Sequence, residues 1–276
     1  MNRAAIFEQI KQKQSFLCVG LDTVKAQLPA EVLQDDDPVF SFNKAIIDAT
    51  AAYAVAFKPN TAFYETEGSE GWRSLEKTVA YIKEKYPEIF IIADAKRGDI
   101  GNTSTAYARA FFDRMQVDAV TVAPYMGNDS VKPFLGFEDK WVVLLALTSN
   151  SGSADFQNTP DVNGQPLYTK VIQTASSWAG ADKLMFVAGA THPAELANIR
   201  AIVPDYFLLV PGVGAQGGDL EAVCRAGLNP QCGLLVNASR SIIYASKSAD
   251  FAIQAAAEAS KLQQQMKVQL QLAGLL

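Results

Sequence analysis

The sequence predicts an α/β fold, a single-domain (β/α)8 TIM barrel, and three observations carry that prediction. Short apolar, β-branched runs recur eight times along the 276 residues with helix-like segments between them, the alternation expected of βαβ units on a parallel sheet. No Gly/Ser/Pro linker divides the chain, and no repeat beyond the strand-helix alternation is visible. Polar residues and glycines gather directly after the apolar runs, and in a barrel those loops all open on one mouth.

Taken in order, the first run, 16–20, is followed by Asp22, and the second, 54–58, ends on Lys58 before Pro59 and Asn60. Residues 71–86 then read as an amphipathic helix, since Trp72, Leu75, Val79 and Ile82 recur at three- and four-residue steps. The third run, 89–94, is apolar enough to be buried on both faces, as parallel strands are. It leads into DAKRGDIGNTS (94–104), which sets two acids and two bases within six residues. Side chains alternate along a strand, so Asp94 and Lys96 share a face while Ala95 points away. Runs at 119–122 and 141–147 come next, the latter followed by Thr148, Ser149, Asn150 and Ser151. A sixth run, 184–188, precedes a helix over 193–202 with Leu196 and Ile199 inward. The seventh, 207–210, opens into PGVGAQGG (211–218), and the eighth, 233–236, into Asn237, Ala238, Ser239 and Arg240. The carboxyl-terminal stretch 254–272 has a long amphipathic pattern suited to packing on the outer shell.

Composition narrows the function. A net charge of -5 and a pI near 5.0, without a basic stripe, argue against a nucleic-acid backbone binder, though a local phosphate pocket stays possible. Cys18, Cys224 and Cys232 are odd in number and lack CxxC or Cys/His spacing, so reduced, buried thiols are expected rather than a disulfide framework or zinc site. The first fifteen residues lack the apolar core of a signal peptide, and no run approaches the ~20 apolar residues that span a bilayer. A cytoplasmic protein without a membrane partner is expected.

Lys58, Asp94, Lys96 and Asp99 form the first constellation. Alternating ammonium and carboxylate groups would keep one another charged, giving a fixed pattern of charge rather than a poised base. Such a pattern can repel a substrate anion at one point and offer a proton at the next. The competing reading is a salt-bridge lattice closing the barrel mouth. The second constellation joins Pro211, the glycines of 212–218, Gln216 and Arg240. Barrels often hold phosphate on the loops after strands seven and eight, where Gln216 and a bidentate Arg240 would clamp it. A flexible glycine loop beside a surface arginine is the alternative. His192, the single histidine, precedes a helix-starting proline without a catalytic partner, so capping or surface placement is expected. Ser149, Ser151 and Ser153 lack a nucleophile-elbow context, which leaves ligand hydrogen bonding or loop solvation.

At DAKRGDIGNTS the pattern Asp-x-Lys-x-x-Asp-Ile with a following Thr resembles the signature of the orotidine 5'-phosphate decarboxylases. LCVGLD, FKPN, VPGVGAQGGD and SRSIIY resemble that family's strand ends in order and spacing, over roughly residues 16–244. The wording is similar to the family's longer bacterial subgroup. The resemblance implies decarboxylation of orotidine 5'-monophosphate to uridine 5'-monophosphate, without metal or organic cofactor, in a homodimer with shared active sites. It also implies the roles. Lys96 delivers a proton to C6, Asp94 sits beside the substrate carboxylate, Lys58 holds Asp94 and a ribose hydroxyl, and Asp22 binds the ribose. Asp99, Ile100 and Thr103 complete the neighbouring subunit's site. Gln216 and Arg240 take the phosphate beside Pro211, and Ser151, in a loop whose register is shared with Ser149 and Asn150, meets the pyrimidine. Ser239 stands where the family more commonly has Gly before the Arg, and its hydroxyl or amide can still contact phosphate. Two other activities fit parts of the pattern: a magnesium-dependent aldolase of the hexulose-phosphate synthase type, and a non-catalytic barrel that senses uridine phosphate.

Overall fold

Eight parallel strands close on themselves in sequence order: β1 (Leu17–Leu21), β2 (Ala54–Pro59), β3 (Phe90–Arg97), β4 (Ala119–Val122), β5 (Trp141–Leu147), β6 (Leu184–Ala188), β7 (Phe207–Pro211) and β8 (Leu234–Ala238). β8 returns to β1, with Val236 opposite Leu17 and Ala238 opposite Val19. The computed structural model describes residues 1–189, 193–212 and 219–276, so His192 and Gln216 lie outside the described residues.

The apolar runs become strands because their side chains are buried on both faces, one toward the barrel interior and one toward the helices. Phe57, Phe90, Phe186 and Phe207 are fully buried in these strands. Each such side chain contributes about 1.5–3 kcal/mol relative to exposure. β4, β5 and β6 occupy the spans expected from periodicity, whereas β1, β2, β3, β7 and β8 run one to three residues further at their carboxyl ends. The reason lies in the neighbours: Leu21 pairs with Pro59, and Pro211 with Asn237, so the ladder continues after the side chains have turned polar.

β3 is the largest departure. The expectation that the strand stops at Asp94 is corrected, since pairing resumes at Arg97 opposite Val122. Between Ala93↔Val120 and Arg97↔Val122, β3 advances four residues while β4 advances two, so β3 carries a bulge at its charged end. Lys96 sits in that bulge with φ +46°, a left-handed conformation that is uncommon for a lysine.

The helix expected over 71–86 runs Gly68–Lys85 with Leu75, Val79 and Ile82 buried, and Pro193–Ile202 forms as expected with Leu196 and Ile199 inward. At the end opposite the charged loops, Lys13 of the helix Arg3–Lys13 donates to the carbonyls of Ala51 and Ala54. Arg200 there donates to the carbonyls of Val203, Pro204, Tyr206, Gly227 and Gly233, tying the segments that enter β7 and β8. The helix Phe251–Leu272 joins this floor through Gln263, which donates to Lys13 O. Cys18, Cys224 and Cys232 are free and buried. Among the described residues, no helix is long and apolar enough to cross a membrane.

Candidate active site at the strand ends

The carboxyl ends of the strands bring together residues that are far apart in sequence. Lys58, the penultimate residue of β2, is buried, and its Nζ donates to Asp94 Oδ2 at 3.0 Å and lies 3.9 Å from Asp22 Oδ1, just past β1. Lys96 Nζ donates to the other Asp94 oxygen, Oδ1, at 2.6 Å. Thr121 on β4 also donates to Oδ1, at 3.0 Å, and its hydroxyl accepts from the backbone N–H of Lys96 at 2.8 Å. Both oxygens of Asp94 are therefore held. The shared face of Asp94 and Lys96 comes about through the bulge and the left-handed turn at Lys96, not through a flat pleat.

These contacts set the charges. Burial works to raise the Asp94 carboxyl, but Lys58 and Lys96 outweigh it and bring its pKa down to about 2. Burial likewise works to lower Lys58, yet the Asp94 and Asp22 carboxylates hold it above the ordinary lysine range. Beneath them, burial pushes the Cys18 thiol up to about 12, so it stays protonated and inert. A permanent anion between two cations results, which suits the fixed charge pattern rather than a poised base. The lattice reading is weakened by exposure: the Lys96 side chain is half exposed, facing a cavity rather than closing it.

Two adjoining cavities share Lys58, Asp94 and Pro211. One, about 220 Å³, extends over Lys96 and Thr121 toward Thr148, Ser149 and Asn150. The other, about 180 Å³, runs past Asp22, Asn60 and Asn237 to Ser239 and Arg240. Its wall depends on Gly20, where an added Cβ would lie 1.9 Å from Ser239 Oγ and 3.2 Å from Asn237 Oδ1, so only glycine lets the ends of β1 and β8 meet. Tyr244 secures the same junction, accepting from Val24 N and donating to Asp22 O. Asp22 Oδ1 and Asn237 Oδ1 are buried there without a hydrogen-bond donor among the described residues. Unpaired buried acceptors are rare, and a cavity edge that keeps two of them fits a place that a hydroxyl-bearing ligand or water completes.

Of the residues expected at the site, Asp22, Lys58, Asp94, Lys96, Pro211, Ser239 and Arg240 line these cavities. Asp99 does not join them: it forms no ion pair with a described residue, and its carboxylate accepts from the N–H of Ile100. Ile100 and Thr103 face a separate open concavity with Asp129, Lys132 and Pro133. Ser151 is exposed and begins a 3-10 turn, Ser151–Asp155, while Ser149 and Asn150 line the cavity. Gln157 holds that loop, its Oε1 accepting from the N–H of Thr148 at 2.8 Å. Sequence reasoning missed Thr121. Its signal was a lone hydroxyl inside the apolar run AVTV.

The chain is similar to known proteins over nearly its whole length. A family model described as "Orotidine 5'-phosphate decarboxylase / HUMPS family" matches residues 15–255. An orotidine 5'-phosphate decarboxylase of Phocaeicola vulgatus is 60% identical over 97% of this chain and 98% of its own length. One from Porphyromonas gingivalis is 59% identical over the whole of both. The solved structure of Leishmania donovani OMP decarboxylase is 36% identical with a TM-score of 0.79, covering 95% of this chain and 99% of that one.

Proposed function

The chain belongs to the orotidine 5'-phosphate decarboxylase / HUMPS family, and we propose that within it this protein is a carboxy-lyase converting orotidine 5'-monophosphate to uridine 5'-monophosphate and carbon dioxide. Near-full-length identity to decarboxylases points to that branch of the family. The observation that carries the chemistry is Asp94, buried and ionised between Lys58 and Lys96 on a cavity wall.

In this reading the bond from C6 to the carboxylate breaks, its electron pair stays on C6, and carbon dioxide leaves. The Lys96 ammonium gives its proton to C6 as that charge develops, and its half-exposed side chain regains a proton from water. Asp94 cannot take up a proton near neutral pH, so it stands as a fixed anion beside the substrate carboxylate and disfavours the bound substrate relative to the transition state, in which that charge has moved away. Lys58, protonated and held by two carboxylates, keeps Asp94 in place and reaches the ribose, whose hydroxyls meet the Asp22 carboxylate at the cavity edge. Arg240 takes the phosphate with Gln216, and Ser149, Asn150 or Ser151 meets the pyrimidine. Phosphate lies away from the reacting carbon, so its binding helps by organising the loops around the ring.

The reading includes a cytoplasmic homodimer. Asp99 forms no ion pair with a described residue, and Ile100 is 53% exposed beside Thr103, an arrangement that fits completion of a partner's site. Three buried, unpaired thiols suit a reducing compartment. Release of carbon dioxide from orotidine 5'-monophosphate, measured with and without a chelator, tests the function. Undiminished turnover with chelator is expected. Activity abolished by the chelator would favour the metal-dependent aldolase chemistry, and binding of uridine 5'-monophosphate without turnover would favour a sensor.

A further inference from the structure

We infer that Thr121 is a positioning residue for proton delivery, a role that rests on the decarboxylase reading. Three observations meet at its hydroxyl. It lies on β4 opposite the β3 bulge, where the ladder skips from Ala93↔Val120 to Arg97↔Val122 and leaves Lys96 without a backbone partner on β4. The hydroxyl oxygen takes that place, accepting the Lys96 N–H at 2.8 Å, and its one proton goes to Asp94 Oδ1 at 3.0 Å. Lys96 holds φ +46° at this point, a backbone state that persists only where its surroundings impose it. From it, the ammonium reaches back two residues to the same carboxylate oxygen at 2.6 Å.

One side chain thus ties the donor's backbone and the donor's counter-ion to the same point. The backbone N–H can only donate and the ionised carboxylate can only accept, so both bonds have a fixed direction: the hydroxyl accepts from Lys96 and gives its single proton to Asp94. Thr121 is buried, and its bonds go to Asp94 and Lys96 rather than outward, so it is placed to act through them. Without the hydroxyl, the Lys96 N–H loses its acceptor and Asp94 keeps only its two lysines. The bulge then relaxes toward an ordinary strand, and the ammonium moves relative to C6. Asp22, Asn60, Ser239 and Arg240 in the adjoining cavity keep their contacts, so nucleotide binding is spared.

The test compares Thr121→Val, which keeps the shape and removes the hydroxyl, with Thr121→Ser, which keeps the hydroxyl. Turnover, KM for orotidine 5'-monophosphate, Kd for uridine 5'-monophosphate and the melting temperature are measured for both variants and the parent. In Thr121→Val, kcat is expected to fall about 10- to 100-fold, the scale of an ångström-sized misplacement of a reacting group. KM and the product Kd should stay within about twofold, and Thr121→Ser should recover to within about threefold of the parent, since it restores the same pair of hydrogen bonds. If Thr121→Val does not fold, Thr121→Cys, near in shape with a weak S–H donor, should show the same kcat loss. A valine variant with parental kcat overturns the role. So does equal loss in valine and serine variants, or a kcat loss matched by weaker product binding, because each describes plain structural damage. A parent without decarboxylase activity would instead sink the functional reading, and this role with it.

Discussion

Replacing Lys58 with methionine removes the buried cation and keeps much of its volume, which isolates the charge that holds Asp94. At the observed 3.0 Å separation, the pair interacts by about 5.5 kcal/mol for an effective dielectric constant near 20. Lys96 and Thr121 still hold Oδ1 in the variant, while Oδ2 is left buried and unpaired. Breaking a buried pair from one side costs about 3–5 kcal/mol, and protonation of the carboxyl can relieve part of it. That makes the cost depend on pH. In the parent, the depressed Asp94 pKa adds stability that is fully present above the unfolded carboxylate value near 4 and is lost as pH falls toward about 2. In Lys58→Met, burial with one lysine gone lifts Asp94 above the unfolded value, so the folded state gains stability on acidification through that range. Urea unfolding of both proteins from pH 3.5 to 8 should show a gap of about 3–5 kcal/mol at pH 8 that shrinks by at least about half at pH 4. A gap below about 1 kcal/mol at pH 8, or the same gap at both ends, would refute the fixed-charge account.

Lys96→Ala is expected to lose turnover by about 10²–10⁴-fold or more, the scale of a general acid, while uridine 5'-monophosphate still binds and protects against heat. A near-normal rate would remove Lys96 from proton delivery. Mixing inactive Lys96→Ala with inactive Asp99→Ala protein should restore one working site per heterodimer; no recovery, once subunit exchange is shown by mass spectrometry, counts against Asp99 acting in trans. Arg200→Met strips five carbonyl acceptors of their donor on the barrel floor, so the melting temperature should fall while kcat per folded molecule is unchanged. At roughly 2–4 °C per kcal/mol for a chain of this size, a loss of about 3 kcal/mol corresponds to about 6–12 °C. An unchanged melting temperature, or a selective fall in kcat, would contradict a purely structural role.

Much of this protein was legible in its sequence because the information is local. An apolar run buried on both faces reads as a parallel strand wherever it falls, so β4, β5 and β6 lie where periodicity placed them. Polar residues following such runs must be solvated or paired, which marked Asp22, Lys58, Asp94, Lys96 and Arg240 before any contact was known. The tertiary structure decided what depends on two chain segments at once. The bulge in β3 exists only relative to β4, and it is this mismatch, not the pleat, that turns Lys96 into a left-handed conformation and gives the Thr121 hydroxyl two partners. The close meeting of Gly20 with Ser239, 219 positions later, is of the same kind. Hydrophobic periodicity is a property of one strand. Register, hydrogen-bond direction and the dielectric around a charge are properties of its neighbours, and barrel closure is what assigned those neighbours here.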